Sequence, residues 1–265
     1  MPLTPFLARY DHVLLDLDGC IWIGEEALDG AVDAVAALRE AGRGIALMTN
    51  DVRHAPEDFV RKLWRLGFQA SVDEVLTCGA ALQFVLAGSQ EPRAAFVIGS
   101  QALVDHVADA GLRVVNNTEF ATRADIVVVG GHDDFNFREL RIATQAVLRG
   151  AKLIGVTRDR TFPMPDGPWP ASGAILAAVE EATDRRAERT IGKPEPDMYE
   201  AARDRLGEGR YLAVGDRLDV DVAGARRAGI DSALVLSGVT GRAEAEAADP
   251  RPTHVADSLA ALVLA

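Results

Sequence analysis

The chain has 265 residues, of which 48% are hydrophobic, and its formal net charge at pH 7 is −12. This length and composition supply enough apolar side chains for one large domain or two modest ones. The acidic balance argues against nucleic acid or an anionic membrane as a partner, and no apolar run approaches the stretch of about 18 residues that spans a bilayer.

The N-terminal stretch "MPLTPFLARYDH" has no basic segment followed by a long apolar run, so no secretory signal is expected. Only two cysteines are present, Cys20 and Cys78, and each lies at the end of an apolar run. We interpret both as reduced, small core residues. Together these features predict a cytoplasmic protein.

Apolar, β-branched runs alternate with helical periodicity along the first 88 residues. In chain order, the pattern predicts a strand over 12–17, a helix over 29–42, a strand over 44–49, a helix over 55–68, a strand over 74–79 and a helix over 80–88. A βαβαβα series is typical of a parallel, doubly wound sheet.

A second series of elements begins near residue 94. It comprises strands over 94–99, 125–131 and 152–157, helices over 102–111 and 137–150, a loop with four prolines over 162–173 and a helix over 174–183. The last section returns to the first style, with a helix over 196–207, a strand over 211–216, a helix over 222–229, a strand over 232–238, and a short exposed helix and loop over 241–252.

Conspicuous polar residues follow three of the predicted strands, in "LDLDG", "LMTND" and "AVGDRLDVD". A fourth stretch, "TIGKPEP", leads a lysine into a helix in a chain that has only three lysines. Ligands of open parallel sheets bind beyond the carboxyl ends of the strands, so these residues are expected to meet at one edge. The middle section carries none of these motifs, which indicates an insertion over the site.

The residues gathered at this edge combine carboxylates with a few phosphate-compatible donors, and they are Asp16, Asp18, Thr49, Asn50, Lys193, Asp216 and Asp221. Three or four carboxylates cannot all ionise side by side unless a cation joins them. Hard oxygen ligands without histidine or thiolate favour Mg²⁺, which commonly binds a substrate phosphate as well. Thr49 and the amides after it can donate to phosphoryl oxygens, and Lys193 adds a compact positive charge.

The motifs "DLDG", "TN", "GKP" and "GDRLDVD" resemble, in order, the four motifs of the haloacid dehalogenase (HAD) superfamily. The insertion, with "TRDRTFP" and "GPWPASGAILAAVEEAT", is similar to the cap of its class IIA phosphatases, which include NagD-like, phosphoglycolate, glycerol-phosphate, pyridoxal-phosphate and p-nitrophenyl-phosphate phosphatases. The resemblance implies an α/β fold, with a doubly wound, Rossmann-like parallel-sheet core over 1–81 and 188–265 and a smaller α/β cap over 82–187.

The resemblance also implies a role for each site residue. Asp16 would be the nucleophile that forms an aspartyl-phosphate, and Asp18 the general acid and then the general base. Three groups would hold Mg²⁺: Asp16, the backbone carbonyl of Asp18, and Asp216. Asp221 would orient a metal-bound water or Lys193. The phosphoryl group would be held by Thr49, the Asn50 amide and Lys193.

Two departures from the class IIA pattern touch substrate handling. Asp51 stands where the family commonly has a second Asn, and Val156-Thr157-Arg158 precedes the cap aspartate where "TN" is common. Asp51 is expected to turn outward or to pair with Arg53, with a substrate contact as the alternative. The other expected specificity residues lie in the cap loop and are Arg158, Asp159, Arg160, Phe162 and Trp169, although packing of the cap would equally explain the two aromatic residues.

The favoured function is a Mg²⁺-dependent phosphomonoesterase that acts on a small phosphorylated metabolite. A haloacid dehalogenase and a non-catalytic sensor of a phosphometabolite are the alternatives. Halide leaves without protonation whereas an alkoxide needs a proton, so the presence of Asp18 favours phosphate esters. Each motif taken alone also has a purely structural alternative: a strand-end turn for Asp16 and Asp18, an N-cap for Thr49 and Asn50, and a solvated surface position for Lys193. A homodimer formed through the cap is a further possibility. The sequence does not identify the substrate.

Overall fold

The computed structural model of this protein describes residues 2–88, 93–164 and 166–265. Its strands are β1 (His12–Asp16), β2 (Trp22–Ile23), β3 (Glu26–Ala27), β4 (Gly44–Thr49), β5 (Val75–Thr77), β6 (Ala94–Gly99), β7 (Arg113–Val114), β8 (Ile126–Gly131), β9 (Lys152–Gly155), β10 (Thr161–Met164), β11 (Gly167–Pro170), β12 (Arg189–Thr190), β13 (Tyr211–Gly215), β14 (Asp231–Val235) and β15 (His254–Ala256).

The helices follow the strands in the alternation that the sequence predicts. They are α1 (Ala31–Glu40), α2 (Pro56–Arg65), α3 (Cys78–Ala87), α4 (Gln101–Asp109), α5 (Phe137–Leu148), α6 (Ser172–Thr183), α7 (Asp197–Leu206), α8 (Ala223–Arg227), α9 (Arg242–Ala247) and α10 (Leu259–Val263). Short 3₁₀ turns cover Leu7–Arg9, Val72–Glu74 and Ala121–Arg123, and a π-helical turn covers Leu218–Val222. Within the described ranges, no helix is long and apolar enough to cross a membrane.

The chain divides into two compact units. The first unit comprises residues 1–49, 56–76 and 193–265, and the second comprises 50–55 and 77–192. The units therefore separate near 76/77 and 192/193, a few residues from the predicted domain boundaries at 81/82 and 187/188, which stay a prediction.

The first unit is built on a six-stranded sheet with the order β15-β14-β13-β1-β4-β5. The central strand β1 pairs in parallel with β13 on one side and with β4 on the other. Its sequence, "HVLLD", is apolar on both faces, and Val13, Leu14 and Leu15 are fully buried. A strand covered on both faces belongs in the middle of a parallel α/β sheet, so the predicted doubly wound core is confirmed.

The second unit has its own parallel sheet, with the order β12-β9-β8-β6-β7. A separate apolar core, which includes Phe96, Val127 and Leu176, packs between this sheet and its helices. The predicted loop over 162–173 is wrong, because Thr161–Met164 and Gly167–Pro170 pair as an antiparallel hairpin. Prolines are compatible with such a ribbon because each edge leaves alternate backbone positions outside the hydrogen-bonded ladder.

Candidate active site

Neighbouring parallel strands bring distant residues to one edge of the first unit. Asp16 is the last residue of β1, Thr49 is the last residue of β4, and Asp216 directly follows β13. These three strands are adjacent in the sheet, so the carboxyl ends converge as the strand-end motifs predict. Asp18 lies two residues past β1, in the turn that leads to β2.

Three carboxylates form a tight cluster at this edge. Asp16, Asp216 and Asp221 each place a carboxylate oxygen within 4.8 Å of the others. The Nζ of Lys193 donates to Asp16 Oδ1 at 2.6 Å and to Asp221 Oδ1 at 2.7 Å. The Lys193 side chain is only 4% exposed, so the structure excludes a solvated surface role for this lysine.

Burial is the dominant electrostatic effect in the cluster. It raises the pKa of Asp16 to about 8; the charges of Asp221 and Asp216 act in the same direction, and Lys193 opposes them. Burial also raises the pKa of Asp216. For Lys193, burial alone would lower the pKa, but the charges of Asp16 and Asp221 outweigh it and raise the pKa well above its usual range. A divalent cation would stabilise the ionised carboxylates against this desolvation.

Glycines make the space that these carboxylates occupy. Gly19 has φ +72°, and a Cβ there would come within 2.4 Å of Asp216 Oδ2. A Cβ on Gly238 would also collide with Asp216, and one on Gly215 would collide with Asp221. Asp216 is held in this cradle by the Val239 amide, which donates to its Oδ2 at 2.6 Å. A pocket of hard oxygen donors with these fixed positions fits Mg²⁺.

Asp18 differs from the cluster because its side chain is exposed to solvent. Its Oδ1 accepts a hydrogen bond of 2.8 Å from the indole Nε1 of Trp22, which is fully buried. Trp22 was not among the residues predicted for the site. A buried indole needs an acceptor for its N–H, and Trp22 lies only four residues after a carboxylate, so the pairing could have been suspected from the sequence.

Two of the predicted residues, Asn50 and Asp159, meet in the second unit. The Asn50 side-chain amide donates to Asp159 Oδ2 at 3.0 Å, and Cys78 Sγ lies 3.5 Å from Asn50 Oδ1. The side chain of Asn50 is thereby oriented by the same loop that carries Asp159. Both cysteines are buried and neither forms a disulfide within the described residues, in agreement with the prediction of small core thiols.

Asp51 is paired inside its own loop, as the favoured interpretation predicts. Its Oδ1 accepts from the Arg53 amide at 2.7 Å, and its Oδ2 accepts from the Arg53 guanidinium at 3.0 Å and contacts His54 Nδ1 at 3.1 Å. Burial acts to raise the pKa of Asp51, but the bonds from His54 and Arg53 outweigh it and lower the pKa to about 2. Asp51 is therefore an ionised, neutralised carboxylate.

The arginine of the same loop stacks on an aromatic residue of the hairpin. The Arg53 guanidinium carbon lies 4.0 Å from the ring centroid of Phe162, a cation–π geometry. Trp169 faces Phe162 across the hairpin with 6.3 Å between ring centroids, and its Nε1 donates to Asp166 at 2.8 Å. Both aromatic residues thus make packing contacts within the second unit, and Trp169 is still 38% exposed.

Arg158 is engaged by a carboxylate that the sequence analysis missed. It donates to Glu180 Oε1 at 2.8 Å, and Arg186 and the Ala187 amide donate to the same carboxylate at 2.9 and 2.8 Å. Arg160 is exposed. The burial of Glu180 was readable from the sequence, because it continues the apolar stripe of α6 at the i+4 position from Leu176.

Comparisons with known proteins identify related hydrolases. Residues 13–113 match a family model described as haloacid dehalogenase-like hydrolase, and residues 190–262 match one described as HAD-hydrolase-like. A D-glycerol 3-phosphate phosphatase of Mycobacterium tuberculosis is 34% identical over 96% of this chain and 71% of its own length. Human chronophin is 35% identical over 92% of this chain and 87% of its own.

A solved structure shows the same fold. The glycerol phosphate phosphatase of Mycobacterium tuberculosis in complex with magnesium superimposes with a TM-score of 0.89 at 33% identity, over 97% of this chain and 77% of that chain.

Proposed function

The chain belongs to the haloacid dehalogenase-like hydrolases, and on that premise we propose that it is a Mg²⁺-dependent phosphomonoesterase acting on a small phosphorylated metabolite. The observation that carries the proposal is the cluster in which the carboxylate oxygens of Asp16, Asp216 and Asp221 lie within 4.8 Å of one another. Relatives named as phosphatases of glycerol phosphate and of sugar phosphates support the same substrate class.

In the proposed reaction, Asp16 attacks phosphorus and Asp18 protonates the departing ester oxygen. The new bond joins an Asp16 carboxylate oxygen to phosphorus, and the bond from phosphorus to the ester oxygen breaks. Asp18, now ionised, then takes a proton from water as the water attacks the aspartyl-phosphate. The bond between the Asp16 oxygen and phosphorus breaks. This releases inorganic phosphate and regenerates the Asp16 carboxylate.

The other residues hold charges in place. Mg²⁺, when bound, supplies positive charge that screens the nucleophile from the phosphoryl oxygens. We assign its ligands to Asp16, Asp216 and the backbone carbonyl of Asp18. Lys193 donates to Asp16 and Asp221, and we assign it, with Thr49 and the Asn50 amide, to the phosphoryl group.

The remaining assignments rest on the sequence pattern and the second unit. We propose that residues 82–187 form the inserted cap and that substrate discrimination comes from it. Asp51 is paired with Arg53, and a substrate contact by Asp51 is the alternative. Within the predicted set, Arg158, Arg160, Phe162 and Trp169 keep exposed surface for such a role, although the Arg158 guanidinium is also bound to Glu180. A cytoplasmic location and a homodimer through the cap belong to the proposal as well.

A phosphate-release panel tests the function. Purified protein would be assayed with sugar phosphates, glycerol phosphate, phosphoglycolate, nucleotides, pyridoxal phosphate and p-nitrophenyl phosphate, in Mg²⁺ and in EDTA. We expect release of phosphate in Mg²⁺ only, and no release by Asp16→Asn, which keeps the shape of the side chain but removes the nucleophile.

Other results would select another function. Release of halide from 2-haloacids without phosphatase activity would make the protein a dehalogenase. Saturable binding of a phosphorylated metabolite without turnover would make it a sensor. Undiminished phosphate release in EDTA, or by Asp16→Asn, would contradict the mechanism.

A further inference from the structure

We propose that Trp22 is a positioning residue for the general acid, and that its indole N–H selects the orientation in which Asp18 delivers a proton to the leaving oxygen. This inference rests on the proposed phosphomonoesterase function and assigns a role to a residue outside the motifs that identify the family. The observation is the 2.8 Å hydrogen bond from Trp22 Nε1 to Asp18 Oδ1.

The bond joins a fixed donor to an exposed acceptor. Trp22 is fully buried in the core of the first unit, whereas Asp18 is exposed. A short, solvated aspartate side chain would otherwise occupy several rotamers. Because the indole cannot move without disturbing the core, the bond restricts the carboxyl group to one of them.

The backbone between the two residues is tied into a closed turn. Gly19 donates its amide to the Trp22 carbonyl at 2.8 Å, and Ile21 donates to the Leu17 carbonyl at 2.9 Å. Trp22 then pairs with Ala27 in the hairpin of β2 and β3. The distance between the indole and the Asp18 backbone is therefore set by local structure, as a positioning contact requires.

A cation fixes the ring from its face. Lys62 Nζ lies 4.3 Å from the Trp22 ring centroid and 3.4 Å from Glu25 Oε1. The lysine thus holds the indole plane by a cation–π contact while Glu25 holds the lysine. These contacts constrain the direction of the N–H as well as its position.

The bond occupies one carboxyl oxygen and leaves the other for chemistry. Among the described residues, no hydrogen bond reaches Asp18 Oδ2. With Oδ1 held by Trp22, Oδ2 is the oxygen that can carry the proton to the ester and later accept one from water. A carboxyl group that presents the same oxygen in every turnover avoids a search among rotamers before proton transfer.

Substitution of Trp22 by Phe should affect esters according to their need for a proton. We expect Trp22→Phe to lower kcat roughly 10-fold for the alkyl phosphate of the panel that the wild type hydrolyses fastest, which is less than the roughly 10²–10⁴-fold that a general acid supplies. With p-nitrophenyl phosphate, whose leaving group barely needs a proton, kcat should change little. KM should be unchanged for both esters, because the Trp22 side chain is fully buried and acts only through Asp18.

The double variant of Trp22→Phe and Asp18→Asn tests whether Trp22 acts through Asp18. If Trp22 acts through Asp18, then adding Trp22→Phe to Asp18→Asn should cause no further loss of leaving-group selectivity. Trp64→Phe is the matched control, since Trp64 is 62% exposed, lies in the same unit and donates its Nε1 to the Ala70 carbonyl at 2.8 Å. It should leave both substrates unaffected.

A second variant with an isosteric ring is needed if the cavity left by Trp22→Phe unfolds the protein. Incorporation of β-(3-benzothienyl)alanine at position 22 replaces the indole N–H by sulfur and keeps the shape of the ring. It should reproduce the selective loss with the alkyl phosphate. Equal losses with both esters, or a selective loss that persists in Asp18→Asn, would overturn the positioning role while wild-type phosphatase activity still supports the proposed function.

A readout without turnover tests the hydrogen bond itself. In ¹⁵N–¹H spectra of the protein without substrate, the Trp22 indole resonance, assigned by its loss in Trp22→Phe, should shift in Asp18→Ala, and the Trp64 resonance should not. An unshifted Trp22 resonance would overturn the proposal. Absence of phosphate release by the wild type would overturn the proposed function and, with it, this role for Trp22.

Discussion

Asp18 is the residue whose proposed role depends most on the chemistry of the leaving group. Replacing it by Asn keeps an oxygen at the Trp22 indole but removes the transferable proton. We expect Asp18→Asn to lower kcat roughly 10²–10⁴-fold for alkyl phosphates, and to lower it less for p-nitrophenyl phosphate, because nitrophenolate departs without protonation. Steady-state rates with both substrates measure the difference. Equal losses would remove Asp18 from the position of general acid.

Asp51 has a charge that is balanced before any substrate arrives. Its carboxylate is bonded to Arg53 and His54, and its pKa lies at about 2. We therefore expect Asp51→Asn to leave the ranking of the phosphate esters unchanged, since the paired carboxylate adds little net repulsion toward a phosphate. The kcat/KM values across the phosphate-release panel are the measurement.

A direct substrate contact by Asp51 predicts a different pattern. Small anionic substrates such as phosphoglycolate would improve in Asp51→Asn while the native substrate would worsen. A uniform gain across the panel would mean that Asp51 is a general electrostatic handicap, and it would contradict both interpretations.

At the scale of elements, apolar patterning predicts the strands that matter for the site. The predicted strands over 44–49 and 94–99 coincide with β4 and β6, and β1 and β13 end within one residue of their predicted ends. Fully buried parallel strands leave a continuous apolar run that is bounded sharply by polar residues. For this reason the residues at the carboxyl ends of these strands, Asp16, Thr49 and Asp216, are located well from the sequence.

Shorter elements are missed because two or three residues carry no periodicity. Four strands have only two residues each and depend on pairing with a neighbouring strand, and they are β2, β3, β7 and β12. The sequence pattern also predicts no regular element after residue 252, where β15 and α10 lie. The side-chain contacts of Trp22 and Glu180 are also missed. The hydrophobic pattern of one element does not specify which atoms of another segment its side chains will contact.

Helix α6 carries Glu180, whose carboxylate accepts hydrogen bonds from Arg158, Arg186 and the Ala187 amide, and the stability of the protein should therefore depend on pH. Burial raises the pKa of Glu180, but the bonds from Arg158, Ala187 and Arg186 outweigh this effect and lower the pKa to about 2 from an ordinary value of 4.5. A carboxyl group with a depressed folded-state pKa stabilises the fold above pH 4.5. This contribution is lost as the pH falls from 4.5 toward 2.

Substitution of Glu180 by Gln should therefore destabilise the protein in a pH-dependent way. We expect Glu180→Gln to lower the free energy of unfolding at pH 7 by about 1.5–3 kcal/mol, the range for hydrogen bonds to a charged group. The difference from the wild type should shrink below pH 4.5. Glu181→Gln is the control, since Glu181 is the exposed neighbour on the same helix. Urea titrations over this pH range measure both, and a loss that does not depend on pH would contradict the ion-pair assignment.

At the scale of the whole molecule, a net charge of −12 opposes the approach of any phosphate ester. The proposed site reverses this field locally by concentrating a lysine and a divalent cation among its carboxylates. The same concentration carries a cost for folding when the metal is removed, because Asp16, Asp216 and Asp221 then lie close together with Lys193 as their shared cation. Stability and metal binding are therefore linked through the cluster.

Asp216→Asn should reverse its effect on stability when Mg²⁺ is added. In EDTA at pH 7 the variant should have a higher Tm than the wild type, because burial and the charge of Asp221 raise the pKa of Asp216 and make its ionised form unfavourable. In Mg²⁺ the wild type gains RT ln(1 + [Mg²⁺]/Kd), about 2.7 kcal/mol at 100 times Kd. The variant, having lost a charged ligand, should gain less, so the order of the two Tm values should invert.

Thermal unfolding in EDTA and in saturating Mg²⁺, with calorimetric titration of the metal, measures this inversion. Asp219→Asn serves as the control, because Asp219 is only three residues away but its side chain is 74% exposed and paired with Arg217. It should shift Tm by the same small amount in both buffers, since an exposed pair contributes about 0–1 kcal/mol. If Asp216→Asn gains as much from Mg²⁺ as the wild type does, then Asp216 is not a ligand, and the cation must be held by the other oxygen donors of the site, such as Asp16 and the Asp18 carbonyl.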